Sequence, residues 1–255
     1  MIRHFINLNI RYSQAFDAYF FPSLTPDGNH NFLKMLKYRI GTDLQLVDIG
    51  GGKTPLFTPD EVRAKRLKVT GVDISADELA SAPVGAYETK IVADITVHRS
   101  ESKADVVVVQ SLLEHVSDGN LAAQGIASFC RPGGMIYTFC PNRRAWFARI
   151  NRLLPERIKR LILYFIYPET ADIQGFPAHY DRCTPTELSA SFLAAGVHIE
   201  TAQPYFVSSY FMFFFPLYFV WRIFNWPFMK LWPLQFCETF VLIGTMSAAS
   251  ARSGT

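Results

Sequence analysis

An apolar run that ends in an acid and then three consecutive glycines constrains this chain more than any other feature. Leu44, Leu46, Val47 and Ile49 surround Asp48, and Gly50, Gly51 and Gly52 follow. Buried parallel strands read as such runs. Glycines directly after a strand let the backbone turn sharply and come close to a ligand. In an open α/β sheet, ligands sit in the crevice past the carboxyl ends of the strands. The segment therefore predicts a first parallel strand with a binding loop at its end.

Later segments repeat the arrangement. Asp73 closes a second apolar stretch, Lys68 to Asp73, and Asp94 closes a third, Ile91 to Asp94. A fourth, Ala104 to Val109, runs into Gln110-Ser111-Leu112-Leu113-Glu114-His115. Acids at successive strand ends line one edge of a sheet and accept hydrogen bonds from hydroxyls and amines. A dinucleotide site would want G-x-G-x-x-G, and Pro55 stands at the sixth position. A phosphate-binding P-loop would want a glycine where Val47 stands. Both are disfavoured.

On VDIGGG, GVDIS, VADI, SLLEHV and RPGGMIYTFCPN, in this order, the chain resembles class I S-adenosylmethionine-dependent methyltransferases. The resemblance covers roughly residues 40–203 and the last strand. It implies an α/β fold: a seven-stranded Rossmann-like sheet, mostly parallel, with an antiparallel last strand; here the residues between strands six and seven read as a hydrophobic insertion. It implies S-adenosyl-L-methionine as cofactor. Asp48 with Gly50, Gly51 and Gly52 would cradle its amino-acid part. Asp73, with Ile74, would take the ribose, Asp94 with Ile95 the adenine, and Gln110 with Ser111 would lie beside the methionine. One departure is visible: family members usually carry glycine where Thr54 stands. Thr54-Pro55 and Thr58-Pro59 predict an irregular loop there, leaving Asp60 to Arg66 for a short helix.

With 255 residues, 49% of them apolar, the chain can bury a substantial core, and disorder is excluded for most of its length. Residues 1–40 read as a helical leader, 41–203 and 238–250 as the cofactor-binding domain, and 204–237 as an insertion. Ile6, Ile10, Phe16 and Tyr19-Phe20-Phe21 give the leader a helical apolar pattern, broken at Pro22. Tyr12 is placed either to cover the cofactor or simply to pack. Residues 1–21 lack an apolar core long enough for a signal peptide. Four cysteines without C-x-x-C pairing or histidines at metal spacing read as reduced thiols in a cytoplasmic protein, and no metal site is expected.

Charge is distributed unevenly. Between Asn142 and Arg160 seven basic residues face one acid, Glu156, and they alternate with Trp146, Phe147, Ile150, Leu153 and Leu154, then Ile158, Ile162, Phe165 and Ile166. Such a pattern suits an interfacial membrane helix, a solvated basic face, or RNA. The insertion favours the first. Its 34 residues hold nine phenylalanines and three tryptophans, with Arg222 and Lys230 the only charges. A crossing needs about 20 apolar residues, and the run is broken by Ser208-Ser209, Pro216, Arg222, Pro227 and Pro233. A single crossing would also part the last strand from its sheet. The expectation is a monotopic hairpin that dips into the inner face of the cell membrane, with Trp221, Trp226, Trp232, Arg222 and Lys230 at headgroup level. A homodimer interface or a lid is the competing expectation. No nucleic-acid partner is expected.

Methyl transfer to a hydroxyl needs a base, which histidine suits best. The candidates are His115, beyond the fourth strand, and His179, in Ala178-His179-Tyr180-Asp181-Arg182. Asp181 can orient a histidine, Arg182 can hold a phosphate or carboxylate, and Tyr180 and Glu114 are further substrate-side candidates. FARINRLLPERIKR, HYDRCTP and YFVSSYFMFFFPLYFVW resemble segments of bacterial methyltransferases encoded with cell-surface polysaccharide enzymes. That resemblance implies O-methylation of a sugar hydroxyl on a membrane-bound glycan or glycolipid precursor. A quinone or other lipid acceptor fits the same features, and a non-catalytic scaffold is the third reading.

Overall fold

The computed structural model describes residues 2–155, 157–159, 161, 177–207 and 211–248. Its centre is one seven-stranded sheet in the order β3-β2-β1-β4-β5-β7-β6. The strands are β1 (Gln45–Ile49), β2 (Lys68–Asp73), β3 (Thr89–Val92), β4 (Ala104–Gln110), β5 (Cys130–Pro141), β6 (Val197–Tyr205) and β7 (Thr239–Met246). Strands β1 to β5 pair in parallel; β7 runs antiparallel to both β5 and β6. The expected α/β sheet is therefore present. β5 begins at Cys130, so Arg131-Pro132-Gly133-Gly134 lie within it. Asp94 falls two residues beyond β3.

Side chains alternate across a strand, so each strand feeds two cores. Val47 and Ile49 join Val107 and Val109 on one face, under α5 (Gly119–Ser128) and α7 (Pro185–Ala194). Leu46 joins Val106 and Val108 on the other, with Phe32 and Leu36 of α2 (Gly28–Arg39). Burying one such side chain contributes roughly 1.5–3 kcal/mol, so the two layers together dominate the fold's stability. The expected short helix after the glycine loop is α3 (Pro59–Lys65), opened by a capping box between Thr58 and Glu61. A further short helix, α4 (Ala76–Ala80), is capped by Ser75, which follows β2 closely.

The leader folds as α1 (Ile2–Phe20), and α6 (Trp146–Leu153) follows β5. The insertion is not a hairpin. It holds one 17-residue helix, α8 (Phe215–Leu231), followed by α9 (Pro233–Phe236). Two of its expected headgroup residues turn inward. Trp221 is buried and Arg222 is fully buried, because Asp17 of α1 supplies the carboxylate that a buried guanidinium requires. Trp226, Trp232 and Lys230 stay exposed. No described helix is long and apolar enough to cross a membrane. All four cysteines are buried thiols. Glu156, Arg160, Ile162, Phe165, Ile166 and Ser208-Ser209 lie outside the described residues.

Candidate active site

The carboxyl ends of β1, β2 and β4 and the turns after β3 and β4 meet around a cavity of about 270 Å³. Ile49 and Gly50 form one edge; Asp73, Ile74, Asp94, Ile95 and Thr96 line one wall; Ser111, Leu112, His115, Val116, Ser117 and His179 line another. Turn chemistry fixes both acids. Asp73 Oδ1 accepts the Ser75 N–H at 2.9 Å. Asp94 Oδ1 accepts the Thr96 N–H and hydroxyl at 2.8 and 2.7 Å. Each carboxylate is thus held at the cavity edge with acceptor capacity remaining.

Asp48 does something else. It shares the side of β1 occupied by Leu46, opposite Val47 and Ile49, so its carboxylate turns into the second core. There Oδ2 accepts the Leu56 N–H at 2.9 Å and the Tyr87 hydroxyl at 3.0 Å. It does not line the cavity. Burial pushes its carboxyl up to about 6 against the pull of those two donors, and keeps the Tyr87 phenol protonated. Asp48 ties the loop after the glycines to Tyr87. A Cβ on Gly51 would stand 2.4 Å from both Asp48 Oδ2 and the Tyr87 hydroxyl, so the close approach requires glycine there. Gly50 and Gly52 hold φ of 81° and 46°. Tyr87 carries no motif that would have marked it. Its role follows only from the fold bringing it beneath β1.

Gln110 also stands away from the cavity, its amide donating to Asn29 Oδ1 of α2 at 2.5 Å. Ser111 is at the cavity with φ 50°, a left-handed backbone held by its N–H on the Phe139 carbonyl at 3.0 Å. Tyr12 is exposed on α1, 6.1 Å from the Phe215 ring, outside the cavity lining.

The wall carrying the two histidines is organised by Glu114. Its carbonyl accepts the N–H groups of His179 at 2.7 Å and Tyr180 at 2.9 Å, which brings the 177–180 segment against the end of β4. The Glu114 side chain is buried, and no partner among the described residues reaches Oε2. Burial pushes its carboxyl up to about 7. His115 Nδ1 lies 3.0 Å from the Pro177 carbonyl, and its Nε2 is 3.9 Å from Glu114 Oε1. A proton on Nδ1 bonds that carbonyl and makes Nε2 the basic atom.

Tyr180 is buried in the core rather than at the cavity, with φ 55°. Asp181 does not orient a histidine: its Oδ2 accepts the Gly119 N–H at 2.8 Å, at the start of α5. Arg182, with φ 51°, lies outside the cavity lining. Among the described residues no group of three His, Cys, Asp or Glu is placed to hold a metal ion.

The cavity's chemistry fits a nucleoside. Asp73 and Asp94 offer acceptors to hydroxyl and amino groups, while Ile74, Ile95 and Val116 supply apolar walls for a flat ring.

Sheet order, glycine loop and acid pair define the fold of S-adenosylmethionine-dependent methyltransferases. Residues 47–138 match the family model described as Methyltransferase domain. The ubiquinone biosynthesis O-methyltransferase of Colwellia psychrerythraea is 27% identical over 127 residues, 47% of this chain and 51% of that protein. That of Aeromonas salmonicida is 28% identical over 164 residues, 61% and 63% respectively. The chain thus spans between half and two thirds of these relatives' length.

Among solved structures, an S-adenosylmethionine-dependent methyltransferase from Mesorhizobium loti superposes with a TM-score of 0.54 at 15% identity, covering 87% of this chain and 99% of that one. The N-methyltransferase NodS of Bradyrhizobium japonicum, solved with S-adenosyl-L-homocysteine, gives 0.52 at 11% identity, with 86% of each covered. The [4+2]-cyclase SpnF gives 0.53 at 16%, covering 86% of this chain and 81% of that one. The same fold thus serves more than one chemistry.

Proposed function

We propose that the chain is an S-adenosylmethionine-dependent methyltransferase that methylates a hydroxyl of a membrane-borne acceptor, namely a sugar of a glycan or glycolipid precursor. The observation that supports it is the convergence of Asp73, Asp94, His115 and His179 on one cavity. When bound, the cofactor supplies an electrophilic sulfonium methyl. Asp73 and Asp94 hold its nucleoside, and the Gly50–Gly52 turn leaves room for the backbone to approach it. His115 Nε2 would take the proton of the acceptor hydroxyl, while the Pro177 carbonyl keeps the ring oriented. The Glu114 carboxyl lies 3.9 Å from that nitrogen. Positioning the acceptor against the methyl carbon contributes up to about 7–11 kcal/mol.

A second acceptor class, a polyprenyl phenol or quinone, is favoured by the ubiquinone O-methyltransferases among the relatives. Both acceptors are carried by lipid, and the chain would work on the cytoplasmic face of the cell membrane. A labelled-methyl assay separates the readings. Label in extracted lipid-linked saccharides supports the sugar, and label in added demethylated quinone supports the second class. Failure to bind S-adenosylhomocysteine would leave a scaffold.

A further inference from the structure

The leader and the insertion bring buried polar groups together where they meet. The buried residues of α1 are Ile6, Asn9, Ser13 and Asp17, three of them polar. Those of α8 are Tyr218, Trp221, Arg222, Asn225 and Met229. Polar groups meet between the helices. Asn9 Oδ1 accepts the Phe215 N–H at 2.9 Å, and the Ser13 hydroxyl donates to the Met212 carbonyl at 3.3 Å. Asp17 accepts from the Tyr218 hydroxyl at 2.5 Å and from Arg222 Nε and Nη2 at 2.9 and 3.0 Å.

A second set of apolar residues points out. On α8, Leu217, Val220, Ile223 and Phe224 are exposed, and Lys230 is the only charge outside the buried face. On α1, Phe5, Leu8, Tyr12 and Tyr19, spaced three, four and seven residues apart, form one exposed stripe. Tyr12 and Phe16 join the two surfaces through ring contacts with Phe215 and Phe219 at 5.2–6.1 Å. A helix in water buries its apolar face; helices in lipid turn polar groups toward each other.

We infer that α1 and α8 form a single platform seated in the interfacial layer of an anionic leaflet, with the leader as half of the dock. Charge selects that occupant. Asp17, in its buried pair, is the only acid on α1, α6 and α8. Arg11 of α1, Arg149 and Arg152 of α6 and Lys230 of α8 are exposed, and α6 is tied to the platform by Trp146 Nε1 donating to Asn225 Oδ1 at 3.1 Å. α8 is about 25 Å long, so it lies along the interface instead of crossing it. This deepens the membrane-borne acceptor reading by naming the surface that reaches the membrane.

The test is flotation of the full chain with phosphatidylcholine vesicles, with and without phosphatidylglycerol. The parent should float, at least about tenfold better with the anionic lipid. Phe5→Glu with Leu8→Glu should lower binding at least about tenfold more than Asn7→Glu with Gln14→Glu, which add the same charge on another face of α1. Val220→Glu with Ile223→Glu should do the same from α8. Equal losses for the two leader pairs would overturn the inference. So would a parent that does not float, or one whose self-association, measured by sedimentation, is what the apolar variants abolish. Calorimetry with S-adenosylhomocysteine is read separately. A parent that floats without binding it overturns the methyltransferase reading alone; one that binds without floating overturns the dock alone.

Discussion

The Glu114 carbonyl accepts the His179 N–H at 2.7 Å, and with the Tyr180 N–H on the same carbonyl it holds a segment more than sixty residues downstream against the tip of β4. Both candidate bases share one cavity because of it, but their surroundings differ. Only His115 has a ring nitrogen beside a fixed carbonyl and a carboxylate near the other. His115→Asn should lower the methyl-transfer kcat by about 10²–10⁴ while leaving S-adenosylhomocysteine affinity near the parent's. His179→Asn should fall much less. Labelled-methyl kinetics with calorimetry check both.

Asp73→Ala should weaken S-adenosylhomocysteine binding at least about tenfold, since each hydrogen bond to a charged group is worth about 1.5–3 kcal/mol. Asp48→Asn should cost far less affinity. Asparagine retains an acceptor for the Leu56 N–H and the Tyr87 hydroxyl, and the side chain does not reach the cavity. Calorimetric titration of the two variants distinguishes these roles.

Asp48 and Glu114 both hold their protons more tightly folded than unfolded, with carboxyls pushed up to about 6 and about 7 by burial. Their contributions to stability are therefore full below the unfolded carboxyl value near pH 4, and are lost as pH rises through 6 and 7. Glu114→Gln removes the cost of a buried charge and should raise stability above pH 7 by roughly 2–3 kcal/mol relative to the parent, with little gain at pH 4. Denaturant midpoints across that range test the sign.

Gly125→Ala should disturb the cofactor site from a distance. A Cβ there would stand 1.9 Å from the Ile95 carbonyl, and Ile95 lines the cavity. Backbone cannot rotate aside as a side chain does, so α5 or the turn after β3 must shift, at about 1–3 kcal/mol or more. Thermal unfolding should show the loss, and S-adenosylhomocysteine affinity should fall with it.

Local patterns made the sheet legible. Four apolar runs with turn signals after them gave four of the parallel strands, and the chemistry of the turns placed Asp73 and Asp94 at their ends. Asp48 looked equivalent because it also ends a run. Strand alternation puts it with Leu46, however, and its partner Tyr87 lies 39 residues on without any motif. Arg222 misled for the same reason. A lone cation in a greasy stretch reads as a headgroup anchor until its carboxylate is known, and Asp17 is 205 residues away. The substrate side was legible as residue types at most, because backbone bonds to Glu114 and Gly119 decide which of His179, Tyr180 and Asp181 face the cavity.

The Asp17–Arg222 pair also sets an order of events during synthesis. At about 5–20 residues per second, the ribosome makes the acid roughly 10–40 seconds before the arginine exists. Throughout that interval the first helix has no mate for its polar stripe, and its aromatic stripe is open to other nascent chains, chaperones or a nearby bilayer. Helix α1, made long before its partner, is among the last parts able to settle.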